Sequence, residues 1–338
     1  MNIAKRPLTP EQKEVKNLLA LDCYKLGAVL VLYQIMTYVF NYVYYLAVYI
    51  YYNGSFTLNV NEAMSYLRSN EKIITSTSFR MAGNISVTFL SLTVAMLLMH
   101  LFFKGQLGGW MKPTKQGVRT GLLWAAPNHV VNMFSTMVVT FLVDMLSSGG
   151  ITVPTSDFTI VQPSKAAVLL QIAYVIIAAP MIEEIIYRGM ILSVLSKYGK
   201  MPAILISALC FGLMHGNIPQ AAGAFIGGLI YAAIAVESRS IVPSIILHIF
   251  NNLLAELSDI TEAMGLKNSA DIVAIILIAA AFVGLVIGFV CIRQLYIKEE
   301  ENVLTTSQVR TEIFTNPAII ACLCIFVGTI ISGLVKAN

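Results

Sequence analysis

The chain has 338 residues, 57% of them hydrophobic and only 12% charged, with a net charge of +4. Soluble domains carry about 25% charged residues, so this composition and a mean hydropathy of +0.76 exclude an ordinary soluble protein. The small positive charge comes from basic residues bunched in particular loops and is not a nucleic-acid footprint.

In chain order, nine apolar runs are predicted helices, at about 26–50, 82–103, 121–146, 166–195, 202–217, 220–236, 241–257, 272–293 and 318–335. Most reach the ~17–25 residues a spanning helix needs; the fifth, sixth and seventh are the shortest. Met1–Leu21 is polar and charged where a signal peptide would be apolar, so the first helix is expected to be its own insertion signal. That first run is crowded with aromatic residues, among them Tyr38, Tyr42, Tyr44, Tyr45 and Tyr49. Polar groups inside apolar runs concentrate between 165 and 257. The expected architecture is an all-α polytopic integral membrane protein of about nine transmembrane helices, its site built by three to four core helices. Its expected divisions are N-terminal membrane helices over 1–160, core helices over 161–260 and C-terminal membrane helices over 261–338.

Loop charge predicts orientation. Lys5, Arg6, Lys13, Lys16, Lys25, Lys104, Lys112, Lys115, Arg119, Lys197, Lys200, Arg239, Arg293, Lys298 and Arg310 fall on one side of the alternating runs. Only Arg68, Lys72, Arg80, Lys165, Lys267 and Lys336 fall on the other. The N-terminus is therefore expected in the cytoplasm and the C-terminus outside. The five cysteines lie in or beside apolar runs, without the spacing of a disulfide framework or a CxxC metal pair, and read as packing residues.

The fourth run contains Glu183, Glu184 and Arg188. Charges at the centre of a membrane helix cost about 2.5–3.5 kcal/mol each on insertion scales, so they need partners or a task. Glu184 and Arg188 stand at i and i+4 and share a helix face. Glu183 is about 100° away around the helix and points elsewhere. Two further polar clusters follow: Phe211-x-x-x-His215 on the fifth run and His248-x-x-x-Asn252 on the seventh. Counted at 1.5 Å per residue from the basic loops, Glu183, His215 and Asn252 lie at depths of about 20–22 Å, and His248 at about 13 Å. A carboxylate, two imidazoles and an amide brought near one layer are the parts for adding water to a carbonyl, with a base for the water and donors for the developing oxyanion. His100, His129 and Asp144 fit no such cluster and read as packing or interfacial residues; Trp110 reads as an interface anchor.

Taken together, Glu183-Glu184-x-x-x-Arg188, Phe211-x-x-x-His215 and His248-x-x-x-Asn252 resemble, in order, the three motifs of the CPBP family (CAAX protease and bacteriocin-processing, also called Abi) of intramembrane proteases. The resemblance covers about residues 166–257. It implies that Glu183 activates water with help from His215, that His248 and Asn252 stabilise the oxyanion, and that Glu184 and Arg188 orient the first helix of the site. The implied substrate is a membrane-associated peptide or lipidated protein terminus, cut in the cytoplasmic half of the bilayer. The short loops are more similar to bacterial members, which are linked to peptide maturation and self-immunity, and this implies a bacterial cell membrane. Two histidines and a glutamate also have the donor types of a His₂Glu zinc site; a metal-free, glutamate-activated water is the favoured reading. Two other classes stay open: a non-catalytic immunity or scaffold protein of the same fold, and a transporter, which should show an inverted repeat. None is visible.

Overall fold

The computed structural model describes residues 7–104, 106–155, 159–295, 297–298 and 301–337. Among them there is no strand. Each of the nine apolar runs is helical: α1 (Pro10–Asn53), α2 (Thr77–Phe103), α3 (Lys115–Ser148), α4 (Lys165–Leu195), α5 (Lys200–Leu213), α6 (Ile218–Ser238), α7 (Val242–Ala263), α8 (Ser269–Cys291) and α9 (Pro317–Ala337). Short polar helices at Val60–Ser69, Glu71–Thr75 and Thr306–Thr315 join them.

The chain is an all-α, polytopic membrane protein, but the count of nine spanning helices is corrected. Among the described residues, seven helices are long and apolar enough to cross a membrane, by length and composition. Helix α5 has 14 residues, or about 21 Å, against a hydrocarbon slab of about 30 Å. Its apolar run was read to 217, yet the helix stops at Leu213, where the chain turns through Gly216 at φ +72°. Asn217 then caps α6 by accepting from the Gln220 N–H at 3.0 Å, with Pro219 in the first turn. Helix α7 has 22 residues, but His248, Asn251, Asn252 and the acidic residues of its second half leave it too polar for a spanning segment by composition. Helix α1 begins 16 residues before its apolar run, on a Thr9–Gln12 capping box with Pro10 at its start.

Helix α4 is the centre of the bundle. From Ile186 to Leu195 every residue is buried, and a helix apolar all round must be enclosed on all sides. Helices α5 and α6 pack against each other as an antiparallel pair, and α3 packs against α6, α7 and α8. Helices α2 and α9 flank α1. The outward face of α8, with Phe282 and Phe289 exposed, has the apolar character of a lipid-facing surface.

The basic residues assigned to one side gather at one end. Lys16 pairs with Glu312 at 3.3 Å, Lys197 with Asp22 at 2.9 Å and Lys200 with Glu237 at 3.4 Å. At the same end Ser240 Oγ donates to the Lys112 carbonyl at 2.8 Å, and the Ile241 N–H to that of Trp110 at 2.9 Å. Arg80 and Lys72 meet the 159–162 segment at the opposite end, through Arg80 Nη2 to Thr159 O at 2.9 Å and Gln162 Nε2 to Lys72 O at 3.0 Å. Lys5 and Arg6 lie outside the described residues. If the basic end faces the cytoplasm, a cysteine at Lys115 should resist an impermeant maleimide in intact cells and one at Thr155 should react. Labelling of both from the same side would overturn the assignment.

Candidate active site

Helix α4 carries the first motif on an irregular backbone. Ile172–Ala178 and Ile185–Leu192 are π-helical and flank an α-helical stretch, Ala179–Glu184. Such i→i+5 turns are rare and concentrate at functional sites. The Ala179 N–H bonds to the Tyr174 carbonyl in that register. The next bond would join residue 180 to Val175, but Pro180 has no N–H. A buried carbonyl needs a donor, and Asn252 Nδ2 supplies one to Val175 O at 2.8 Å.

Glu184 and Arg188 form the expected pair, 3.0 Å apart with both side chains fully buried. Arg188 Nη2 also donates to the Gly228 carbonyl at 3.1 Å. The guanidinium lies 4.4 Å from the centroid of the Phe211 ring and 5.3 Å from that of Tyr231, so two π faces add to its neutralisation. Gly228 makes this close approach possible: a Cβ there would come within 2.9 Å of the Phe211 ring and 3.2 Å of Arg188 Nη2.

His248 links the two glutamates. Its Nδ1 lies 3.1 Å from Glu184 Oε1. That oxygen already accepts from Arg188 and is an ionised acceptor, so the Nδ1 must carry the proton. In the neutral ring, Nε2 keeps its lone pair and stands 3.6 Å from Glu183 Oε2. That separation is too long for a direct hydrogen bond, and a water set to one side of the line between them can reach both acceptors through bent hydrogen bonds. The Glu183 side chain is 18% exposed, whereas Glu184 is sealed at 0%. Adjacent in sequence, the two carboxylates have different environments because they leave the helix in different directions.

His215 sits in the turn after α5, not on the helix. Its Nδ1 lies 2.9 Å from the Phe211 carbonyl, so the imidazole caps the last turn and its Nε2 points away as an acceptor. The Phe211 ring meets both His215 and His248 edge-on, with centroids 5.4 Å apart in each case. Glu183, Glu184, Arg188 and His248 are thus brought together, with His215 next to them through Phe211. Glu183 and His215 form no hydrogen bond or ion pair among the described residues. Asn252 is held at Val175, eight residues before Glu183, about two turns along α4. No group of three His, Cys, Asp or Glu side chains among the described residues is arranged to hold a metal ion. The residues present therefore do not form the His₂Glu zinc set.

Sequence reasoning missed Tyr231, Gly228 and Asn132. Tyr231 packs on His248 with centroids 5.3 Å apart and planes at 31°. Asn132, on α3, donates through Nδ2 to Asn251 Oδ1, and Asn251 Nδ2 in turn donates to Asn252 Oδ1 at 3.3 Å. One signal was visible beforehand: Asn128, Asn132 and Ser135 recur at i, i+4 and i+7 on one face of an apolar helix, and polar groups inside a membrane helix are functional by default.

The stretch holding all six site residues, 165–254, matches the family model described as Rce1-like, type II CAAX prenyl endopeptidase. Neither the curated proteins nor the solved structures contain a match to the chain. The matched stretch spans Glu183-Glu184-x-x-x-Arg188, Phe211-x-x-x-His215 and His248-x-x-x-Asn252, and the match is consistent with the CPBP family.

Proposed function

We infer that this protein is an intramembrane endopeptidase that hydrolyses a peptide bond of a lipidated or membrane-associated peptide. The observation carrying this reading is the Glu183–His248 approach of 3.6 Å. Two acceptors at that distance receive the two protons of one water and aim its oxygen outward. As the water oxygen bonds to the substrate carbonyl carbon, one proton passes to Glu183 and the carbonyl oxygen becomes an oxyanion.

Asn252 spends one amide hydrogen on Val175 O and keeps the second for that oxyanion, held in place in advance. The protonated Glu183 then delivers its proton to the leaving nitrogen as the C–N bond breaks, with His248 Nε2 beside it as the alternative carrier. His215 Nε2 is a further acceptor at the mouth of the site. Glu184 and Arg188 hold α4 and the His248 tautomer. This assignment puts His248 next to the water in place of His215; the resemblance implied the reverse.

The test is cleavage of a farnesylated peptide ending in a CAAX tetrapeptide by purified protein in detergent or nanodiscs. Release of the terminal tripeptide, faster from the farnesylated peptide than from its unlipidated twin, is the expected result. Equal rates would remove the lipid from recognition, and no cleavage of either would overturn the CAAX-type substrate.

A further inference from the structure

Helix α3 lies outside the segment matched by the family model, yet it reaches the site through a continuous line of polar side chains. Asn132 Nδ2 donates to Asn251 Oδ1, and Asn251 donates to Asn252, whose amide is held on Val175 O. One turn earlier on α3, Asn128 Nδ2 donates to the Tyr231 hydroxyl at 3.4 Å. The Tyr231 ring packs on His248 and beneath the Arg188 guanidinium. Two neighbouring side chains of α3 therefore reach both arms of the site, Asn128 meeting His248 through Tyr231 and Asn132 meeting Asn252 through Asn251.

The local sequence makes room for Asn132. Gly227 faces the amide, and a Cβ there would stand 3.1 Å from Asn132 Oδ1. A buried amide without partners costs about 1–3 kcal/mol, so an apolar helix would not hold Asn128 and Asn132 on one face without a use for them. Hydrogen bonds between side chains in low dielectric are strong, and each one restricts the orientation of both its members.

We propose that Asn128 and Asn132 are positioning residues for this site, Asn128 holding the Tyr231 ring that packs on His248 and Asn132 setting the direction of the Asn252 amide through Asn251. The proposal rests on the proteolytic reading for its kinetic consequence, though not for its structural one. Asn132→Leu keeps the volume and removes its hydrogen bond to Asn251. Misplacing catalytic groups by a fraction of an ångström to an ångström lowers the chemical step, so kcat on the farnesylated peptide should fall about 10- to 100-fold, with KM within about twofold. Tyr231→Phe keeps the ring and loses only the hydroxyl; it should reduce kcat less. The double variant should be slower than Asn132→Leu alone, because the two changes act on separate arms of the site.

A second readout needs no substrate. The chain has 4 histidines, so ¹⁵N-histidine labelling with a His248→Gln reference assigns the His248 ring nitrogens. Both Asn128→Leu and Tyr231→Phe should shift those signals. Unchanged His248 signals in both variants would overturn the proposal whatever their turnover. An Asn132→Leu protein with normal kcat and raised KM would also overturn it, placing Asn132 on the substrate. Wild-type protein that cleaves no lipidated peptide would overturn the proteolytic reading by itself, and the imidazole spectrum would still decide the positioning role.

Discussion

Arg188→Ala is expected to cost about 3–5 kcal/mol of stability, the range for removing one member of a fully buried ion pair. Both side chains of the Glu184–Arg188 pair have no exposure. The loss is therefore not screened by water, as it would be at a surface. Removing the guanidinium leaves Glu184 ionised beside His248 without its cation, frees the Gly228 carbonyl, and empties the space between Phe211 and Tyr231. Arg188→Lys should rescue little, because an ammonium cannot fork between a carboxylate and a carbonyl or lie flat on two rings. The double variant Glu184→Gln/Arg188→Met should melt above Arg188→Ala, since it removes the unpaired charge and the new side-chain amide oxygen still accepts from His248 Nδ1. Thermal melting in detergent measures all three. A melting temperature for Arg188→Ala equal to that of wild type would mean that water reaches this pair.

The pairing behind that prediction was legible in the sequence because it is local. An i, i+4 spacing specifies one helix face whatever the helix packs against. The basic end was legible for a similar reason, since alternating runs return like loops to one side. The depth of His248 was not. Counting 1.5 Å per residue from Arg239 placed it about 8 Å above Glu183, yet its Nε2 is 3.6 Å from that carboxylate. The count assumes upright helices of uniform rise, whereas α4 is π-helical on both sides of Ala179–Glu184, and a wider turn climbs less per residue. Nothing in Ile172–Ala178 spells out an i→i+5 register; packing decides it. Pro180 was visible, but which carbonyl it would strand, and that Asn252 would answer it, depended on that register. The contributions of Gly228, Tyr231 and Asn132 depend on which helices become neighbours, and their spacing in the chain does not determine that.

Glu183→Gln should lower turnover by about 10²-fold or more while leaving the fold intact. The two adjacent glutamates make this a sharp comparison. Glu183 is not part of the buried pair and its side chain is 18% exposed, so an amide there strands no partner charge and the melting temperature should hold. Its chemistry, however, is removed twice over. The amide cannot take a proton from water, and its NH₂ can donate to His248 Nε2, occupying the second acceptor of the bridging site. Glu183→Asp keeps the charge but draws it back by one methylene, away from His248. Its turnover should fall between wild type and Glu183→Gln, because a base acts only within hydrogen-bond reach of the proton it abstracts. Glu184→Gln gives the opposite signature, a lower melting temperature together with lost activity, since Arg188 then has no carboxylate. Side-by-side melting and peptide-release assays on the three variants separate the roles. Normal cleavage by Glu183→Gln would remove Glu183 as the base, and with it the hydrolytic mechanism built on its approach to His248.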